Sequence, residues 1–350
     1  MKHILPILPI TAAALTVLSL PSRAADDPLT NRALLGLLEP LPELVPSEDN
    51  PLTPEKVELG RKLFHDTRLS LNRKNSCNSC HNLKTYGVDN QQFSIGDAGE
   101  KGGRNSPSVF NAAMHVAQFW DGRAKDVEEQ AKGPVLNPVE MAMPDADYVV
   151  KVLKSIPGYV SEFSGAFPGA DDPVSYDHFA KAVGAFERKL LTPSRFDRFL
   201  EGDEGALTEA ELIGLNEFLG AGCATCHNGP AIGGRLYQKL GLVKRWPDLD
   251  DPGRFGVTKK EADKYLFKVP SLRNVAKTAP YLHDGSVEDL GELTAMMAEH
   301  QLGRTLDDEQ VGSIVTFLKS LTGDLPEALV AEPSLPADGP DTPKPKDRTD

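Results

Sequence analysis

"SCNSCHNL", residues 76–83, carries two cysteines three positions apart, Cys77 and Cys80, with His81 directly after the second. The pattern returns as "CATCH" at residues 223–227, giving Cys223, Cys226 and His227. These are all four cysteines of the 350-residue chain, so none is left over for a separate structural disulfide. Cys-x-x-Cys-His is the attachment pattern of a c-type haem, in which two thioether bonds hold the porphyrin edge and the adjacent histidine becomes an axial ligand of the iron. Three rival readings fit less well. A zinc site wants its cysteine pairs ~12–20 residues apart, whereas these begin 146 apart. A thioredoxin-like redox pair expects a βαβ setting that neither neighbourhood offers. A plain disulfide explains neither the histidines nor the repetition. The reading is therefore two covalently attached haems, with His81 and His227 as proximal ligands.

The surroundings predict helices that deliver these motifs. In "LTEAELIGLNEFLGAGCATCHNG" Thr208 and Glu211 form a capping box, and Leu212, Leu215, Phe218 and Leu219 share one helical face before Gly220 and Gly222 break it. Upstream of the first motif, "TPEKVELGRKLFHD" offers Thr53 as N-cap and Pro54 at the first helical position, with Val57, Leu59, Leu63 and Phe64 apolar. A further helix lies in "TLDDEQVGSIVTFLKSLTG", where Val311, Ile314, Val315 and Leu318 keep helical spacing and Gly323 ends it. No run shows sustained strand alternation. The expected fold is mainly α, two cytochrome c-like haem domains with long loops.

Residues 1–24 read as a cleaved secretory signal: Lys2, an apolar run from Ile4 to Leu20, and the small-residue site Ser22-Arg23-Ala24. Export to the periplasm follows, and no later run is long and apolar enough for a membrane span. The expected organisation is an N-terminal haem domain over 25–190, a C-terminal haem domain over 191–324, and a Pro-rich tail over 325–350 whose composition predicts disorder. The formal net charge is −13 and becomes −15 once Lys2 and Arg23 leave with the signal. Such acidity excludes nucleic acid as a partner and hints only at a basic patch on a soluble one.

Function turns on the sixth iron ligands, because a haem with both axial positions filled moves electrons and one with an open position can activate a small molecule. For the second haem the candidates are His283, Met296, Met297 and His300; for the first they are His65, Met114, His115, Met141 and Met143. Spacing does not choose among them, and a methionine is ordinarily core filler.

The segments "SIGDAGEKGGRNSPSVFNAAMHVAQFWDGRAKDVEEQAKGPVLNPVEM" and "KVPSLRNVAKTAPYLHDGSVEDLGELTAMMAEHQLGRTLDDEQ", each following its CxxCH motif, resemble the bacterial dihaem cytochrome c peroxidases from about residue 50 to residue 323. The resemblance implies that the N-terminal haem is the peroxide site and that the C-terminal haem is a high-potential electron relay ligated by His227 and Met297. It implies Glu140 as acid–base carboxylate, Gln130 and Phe119 as distal lining, and Trp120 between the haems. It also implies a calcium ion between the domains, held by Asn105 and the carbonyls of Thr278 and Pro280. Oxygen-only ligands suit such a hard cation. Hydrogen peroxide would be the substrate, a small cytochrome c or cupredoxin the electron donor, and a homodimer the assembly.

One position departs from the pattern. Many family members place a capping histidine in the loop after the first motif, where "SIGDAG" has Asp97. A carboxylate in a loop that water reaches is a poor iron ligand, and aspartate at a Gly-flanked turn has a local hydrogen-bonding reason to be there. The far face of the first haem is thus expected to be open, with activity that needs no prior reduction. Two alternatives stand beside the peroxidase. One is a protein-oxidising maturation enzyme of the same fold, against which Met297 speaks because a tyrosine takes that place there. The other is a non-enzymatic electron-transfer dihaem cytochrome.

Overall fold

The computed structural model describes residues 27–345, so the signal-peptide reading of residues 1–24 lies outside the described residues. In chain order the helices are α1 (Pro54–His65), α2 (Cys77–Cys80), α3 (Val127–Leu136), α4 (Ala146–Lys154), α5 (Pro157–Ala166), α6 (Tyr176–Glu187), α7 (Arg195–Leu200) and α8 (Glu209–Ala221). Strand β1 (Tyr237–Lys239), helix α9 (Phe255–Thr258), strand β2 (Leu266–Lys268), α10 (Leu290–Leu302), α11 (Asp308–Ser320) and α12 (Glu327–Val330) follow. The strands pair antiparallel with Gln238 opposite Phe267. None of the helices is long and apolar enough to cross a membrane among the described residues.

The helix starts follow their caps. Thr53 Oγ1 accepts from Lys56 N at 3.2 Å with Pro54 at the first position of α1. Glu211 and Thr208 close their capping box at α8, which runs through Gly220 and stops at Gly222 in the left-handed conformation. Helix α11 begins at the Asp307 cap and ends at Leu321, short of Gly323.

Two hydrophobic cores form. The first gathers Leu59, Leu63 and Phe64 of α1 against Phe179, Val183 and Phe186 of α6. The second gathers Leu215 and Phe218 of α8 against Ile314 and Phe317 of α11. The two helix crossings are built alike. A Cβ on Gly60 would lie 1.9 Å from Ala182 O and 2.8 Å from Phe186 Cβ; one on Gly214 would lie 2.0 Å from Ser313 O and 2.9 Å from Phe317 Cβ. Only glycine permits helices to approach so closely at these points. In each unit, therefore, the helix before the haem motif is clasped by the unit's last helix.

A second duplication lies in the loops. Residues 105–124 and 268–287 align with an offset of 163 and share Pro107/Pro270, Ser108/Ser271, Asn111/Asn274, Ala113/Ala276, Asp121/Asp284 and Gly122/Gly285. The backbones match as well: Asn111 and Asn274 both have φ 62, and Phe119 and Leu282 are left-handed at 65 and 74. The units face each other across these segments. Asn105 N donates to His283 O and Lys268 N to Trp120 O, each at 2.8 Å, so the repeat-related residues exchange reciprocal bonds.

The chain ends cross over. Leu29 and Leu38 belong to the second core, and Val330 to the first. Within the described residues, the segment 325–345 is docked on the first unit where its composition predicts disorder. Arg61 Nη1 donates to Ala331 O at 2.8 Å, Arg68 Nη1 and Arg73 Nη1 reach Asp338 at 2.8 and 2.9 Å, and Thr342 Oγ1 donates to Ser155 O at 3.2 Å. The segment has too little apolar surface for a core of its own, yet it docks on one already formed. Its prolines also lower the chain entropy lost on docking.

Candidate active site

Each CxxCH motif opens onto its own chamber. The first is bordered by Phe64, Cys77, Cys80, His81 and the loop 102–109, and by Gln118, Phe119, Gln130, Asn137, Glu140 and Met141. The second is bordered by Cys223, Cys226, His227, Leu240, Phe267, Leu282, Leu293 and Met297. No cysteine is in a disulfide. Burial pushes the Cys80 and Cys223 thiols up to about 11 and Cys77 higher still, the opposite of the lowered values that make a reactive redox pair.

The two histidines have the setting that an iron ligand needs. His81 Nδ1 donates to Pro107 O at 3.0 Å, which leaves Nε2 free to face a metal. Desolvation lowers the His81 pKa, keeping the ring neutral as ligation requires. His227 is driven to about 4 by burial, with the carbonyls of Ile232 and Pro270 opposing that shift. Its Nδ1 is buried and makes no hydrogen bond of ordinary geometry. The repeat thus aligns the Pro107 and Pro270 carbonyls with the two proximal rings. Buried apolar walls, free cysteines and neutral histidines together fit a c-type haem in each chamber.

The sequence candidates sort by chamber. Met297 borders the second chamber and Met296 does not, although both pack against the second core. His283 also borders that chamber but stacks on Phe267 at 4.3 Å and lies edge-on to Trp120 at 6.4 Å. His300 Nδ1 is held by the carbonyls of Lys244 and Arg245. In the first unit, His65 is tied to Arg61 O, while Met141 and His115 reach the chamber. Glu140 and Gln130 border the first chamber, and Phe119 and Trp120 border both.

Glu140 ends the turn after α3, where Asp97 N donates to its carbonyl at 2.7 Å. Burial raises the Glu140 pKa, and Arg123 and the Asn137 amide pull against that rise. Arg123 lies over the Phe119 ring at 3.4 Å. It borders the chamber together with Glu187, a buried acid of α6 pushed up to about 8 by desolvation and by Glu128. Neither residue was singled out by the sequence reading. The sequence signal for Glu187 is a carboxylate on the apolar face of its helix, four residues after Val183.

Asp97 differs from expectation. It is 1% exposed rather than in a loop that water reaches, and it does not border the chamber. Its Oδ2 accepts from Asn72 N at 2.7 Å and its Oδ1 from Lys74 N at 3.1 Å. The hydrogen-bonding reason for an aspartate is present, but the partners are a neighbouring strand of loop rather than its own turn. Gly96 borders the chamber in its place, and a Cβ there would lie 2.0 Å from Val139 O.

Asn105, Thr278 and Pro280 all border the second chamber at the junction of the units. Asn105 spends its amide NH2 on the carbonyls of Gln91 and Gln92 at 2.9 and 3.3 Å, so Oδ1 is the atom it can offer a cation. Among the described residues no group of three or more His, Cys, Asp and Glu side chains gathers to hold a metal. A cation there would rely on carbonyl and amide oxygens.

The chain is similar to known proteins over most of its length. Residues 54–205 match the family model of the di-haem cytochrome c peroxidases. The chain is 48% identical over 317 residues to the cytochrome c551 peroxidase of Pseudomonas aeruginosa, covering 89% of this chain and 90% of that protein. It is 47% identical over 298 residues to the cytochrome c551 peroxidase of Nitrosomonas europaea, covering 84% and 88%. Among solved structures, a MauG-like protein associated with microbial copper homeostasis superposes with a TM-score of 0.72 at 31% identity, covering 84% of this chain and 95% of the other. With its two haem-attachment motifs and this extent of likeness, the chain belongs to the di-haem cytochrome c peroxidase family.

Proposed function

We propose that the protein reduces hydrogen peroxide to water in the chamber of His81, with electrons relayed through the chamber of His227 from a small cytochrome c or cupredoxin. The observation that carries this reading is the asymmetry of the chambers: a half-buried carboxylate, Glu140, borders the first and a thioether, Met297, borders the second. Haem, when bound, would supply the iron that engages peroxide and the electrons that cleave its O–O bond. Glu140 takes the proton of the inner peroxide oxygen and returns it to the outer one, so that water leaves. Its raised pKa suits a group that must be base and then acid. Gln130 and Phe119 limit how peroxide lies, and Trp120, bordering both chambers, stands on the electron path. Met297 favours the reduced relay iron.

Asp97, spent on Asn72 and Lys74, supports a first iron that is open without prior reduction. We place the peroxidatic unit within 25–190 and the relay unit within 191–324, a calcium ion at Asn105, Thr278 and Pro280, and the working protein in the periplasm as a homodimer. Stopped-flow mixing of the fully oxidised protein with peroxide tests the reading. Rapid bleaching of a high-spin haem, followed by donor oxidation without a lag, is the expected result. A resting spectrum with two low-spin haems and no peroxide response would falsify it.

A further inference from the structure

Eight residues border both chambers: Asn105, Ser106, Pro107, Ser108, His115, Phe119, Trp120 and Lys268. Only His115 and Lys268 among them are ionisable. His115 comes from the first unit and Lys268 from the second, and Lys268 Nζ lies 2.9 Å from His115 Nδ1. Lys268 is 6% exposed, and burial lowers it to about 7, with Asp121 the only charge opposing the shift. Asp121 is already bound by Arg104 at 2.6 Å and Arg123 at 3.2 Å. An isolated ammonium in such a place is costly unless an anion meets it. Lys268 donates to Nδ1, which fixes the neutral imidazole as the Nε2–H tautomer. That Nε2 is buried and has no partner among the protein atoms.

The repeat adds an independent argument. With the offset of 163, Lys268 corresponds to Asn105 and His115 to Thr278. One of these two related corners presents amide and carbonyl oxygens to a cation. The other presents an ammonium and an imidazole N–H, and so carries its own positive charge. Each haem brings two carboxylates, on the porphyrin edge across from its thioethers, and the wall common to both chambers is where one cation can serve both.

We propose that His115 and Lys268 form a shared clamp for haem propionates, a positioning pair that binds carboxylates of both haems and sets their two reduction potentials together. The inference rests on the two-haem reading of the site. Lys268 Nζ supplies the charge and His115 Nε2–H a second donor. Removing the positive charge from beside both irons disfavours both reduced forms.

The test is potentiometric titration of each haem, followed optically and by EPR, in wild type, Lys268→Met, Lys268→Arg and His115→Gln. In Lys268→Met both potentials should fall, each corresponding to about a tenfold loss of electron affinity, or about 59 mV for a one-electron couple. Lys268→Arg should restore them. His115→Gln, which keeps the lysine, should move both the same way by less, and it carries the test alone if Lys268→Met does not assemble. Movement of one haem only, or of neither, with two haems bound per chain overturns the clamp. Fewer than two bound haems in the wild-type protein would instead overturn the two-haem reading beneath it.

Discussion

The chamber of His81 and the chamber of His227 are framed by the same repeated segment and finished by different elements. Both frames keep a left-handed asparagine, Asn111 or Asn274, and a left-handed residue before the Asp-Gly turn, Phe119 or Leu282. The first frame then holds Phe119 and Trp120, where the second holds Leu282 and His283. The first is closed by the turn after α3, bringing Glu140; the second is closed by α10, bringing Met297. Duplication has preserved the backbone that seats a haem, and the chemistry resides in the covering elements.

Glu140→Gln strikes that difference hardest. Turnover should fall by about 10²–10⁴-fold, the usual worth of a positioned acid–base group, while haem content and both optical spectra stay unchanged. In the wild type, activity should decline as pH falls through the raised Glu140 pKa, because a protonated carboxyl cannot accept the peroxide proton. Gln at this position should abolish that acid limb. Steady-state rates between pH 4 and 8 with reduced cytochrome c check both, and full activity in the variant removes the carboxylate from the comparison.

Met297→His tests the other chamber. On the proposed ligation it keeps a strong sixth ligand but replaces thioether with imidazole, which lowers the potential. Oxidation of a cytochrome donor should slow by roughly tenfold or more, while the first haem still reacts rapidly with peroxide. If donor turnover is unchanged, the second chamber is not the relay.

A smaller effect separates the loop from the iron. Asp97→Ala should strip acceptors from the buried N–H of Asn72 and the part-buried N–H of Lys74, at about 1–3 kcal/mol for the buried group left unpaired. Urea denaturation should show the loss as a lower midpoint, and the resting first haem should stay high-spin. Conversion to low-spin would mean that the anchored loop had been holding a ligand away.

The sequence makes the attachment motifs plain because two cysteines and a histidine recur at fixed spacing. The starts of α1 and α8 are equally plain, since Thr53 and Thr208 are local caps whose partners lie three residues on. The choice of Met297 over Met296 comes from resemblance, because adjacent side chains on a helix differ by about 100° and spacing alone does not say which one faces inward. The contacts that were hidden are those between distant segments. Asp97 meets Asn72 and Lys74 across a loop, and Lys268 meets His115 across 153 positions. The repeat of 105–124 in 268–287 rests on six identities in twenty, and its meaning emerges only where Asn105 and Lys268 exchange bonds with the opposite unit.

The two chambers are also buttressed differently, and the smallest effect tests that. The second unit is braced by the N-terminal segment: Asn31 Nδ2 donates to Asn216 O at 3.1 Å, and Gly229 N to Leu37 O at 2.8 Å. The first is braced by the C-terminal strap, where Asp338 joins Arg68 and Arg73. Those guanidinium groups hold the Asp338 carboxyl below its ordinary pKa. Its contribution is therefore present above the unfolded value of 3.8 and is lost as pH falls through the depressed one. The carboxylate is 44% exposed, so the pair of bridges is worth at most about 1 kcal/mol. Asp338→Ala should lower the thermal transition of the first haem alone at neutral pH, and the difference from wild type should vanish in acid. If both haem transitions move together, the strap braces the whole molecule, and the units are less independent than their separate cores suggest.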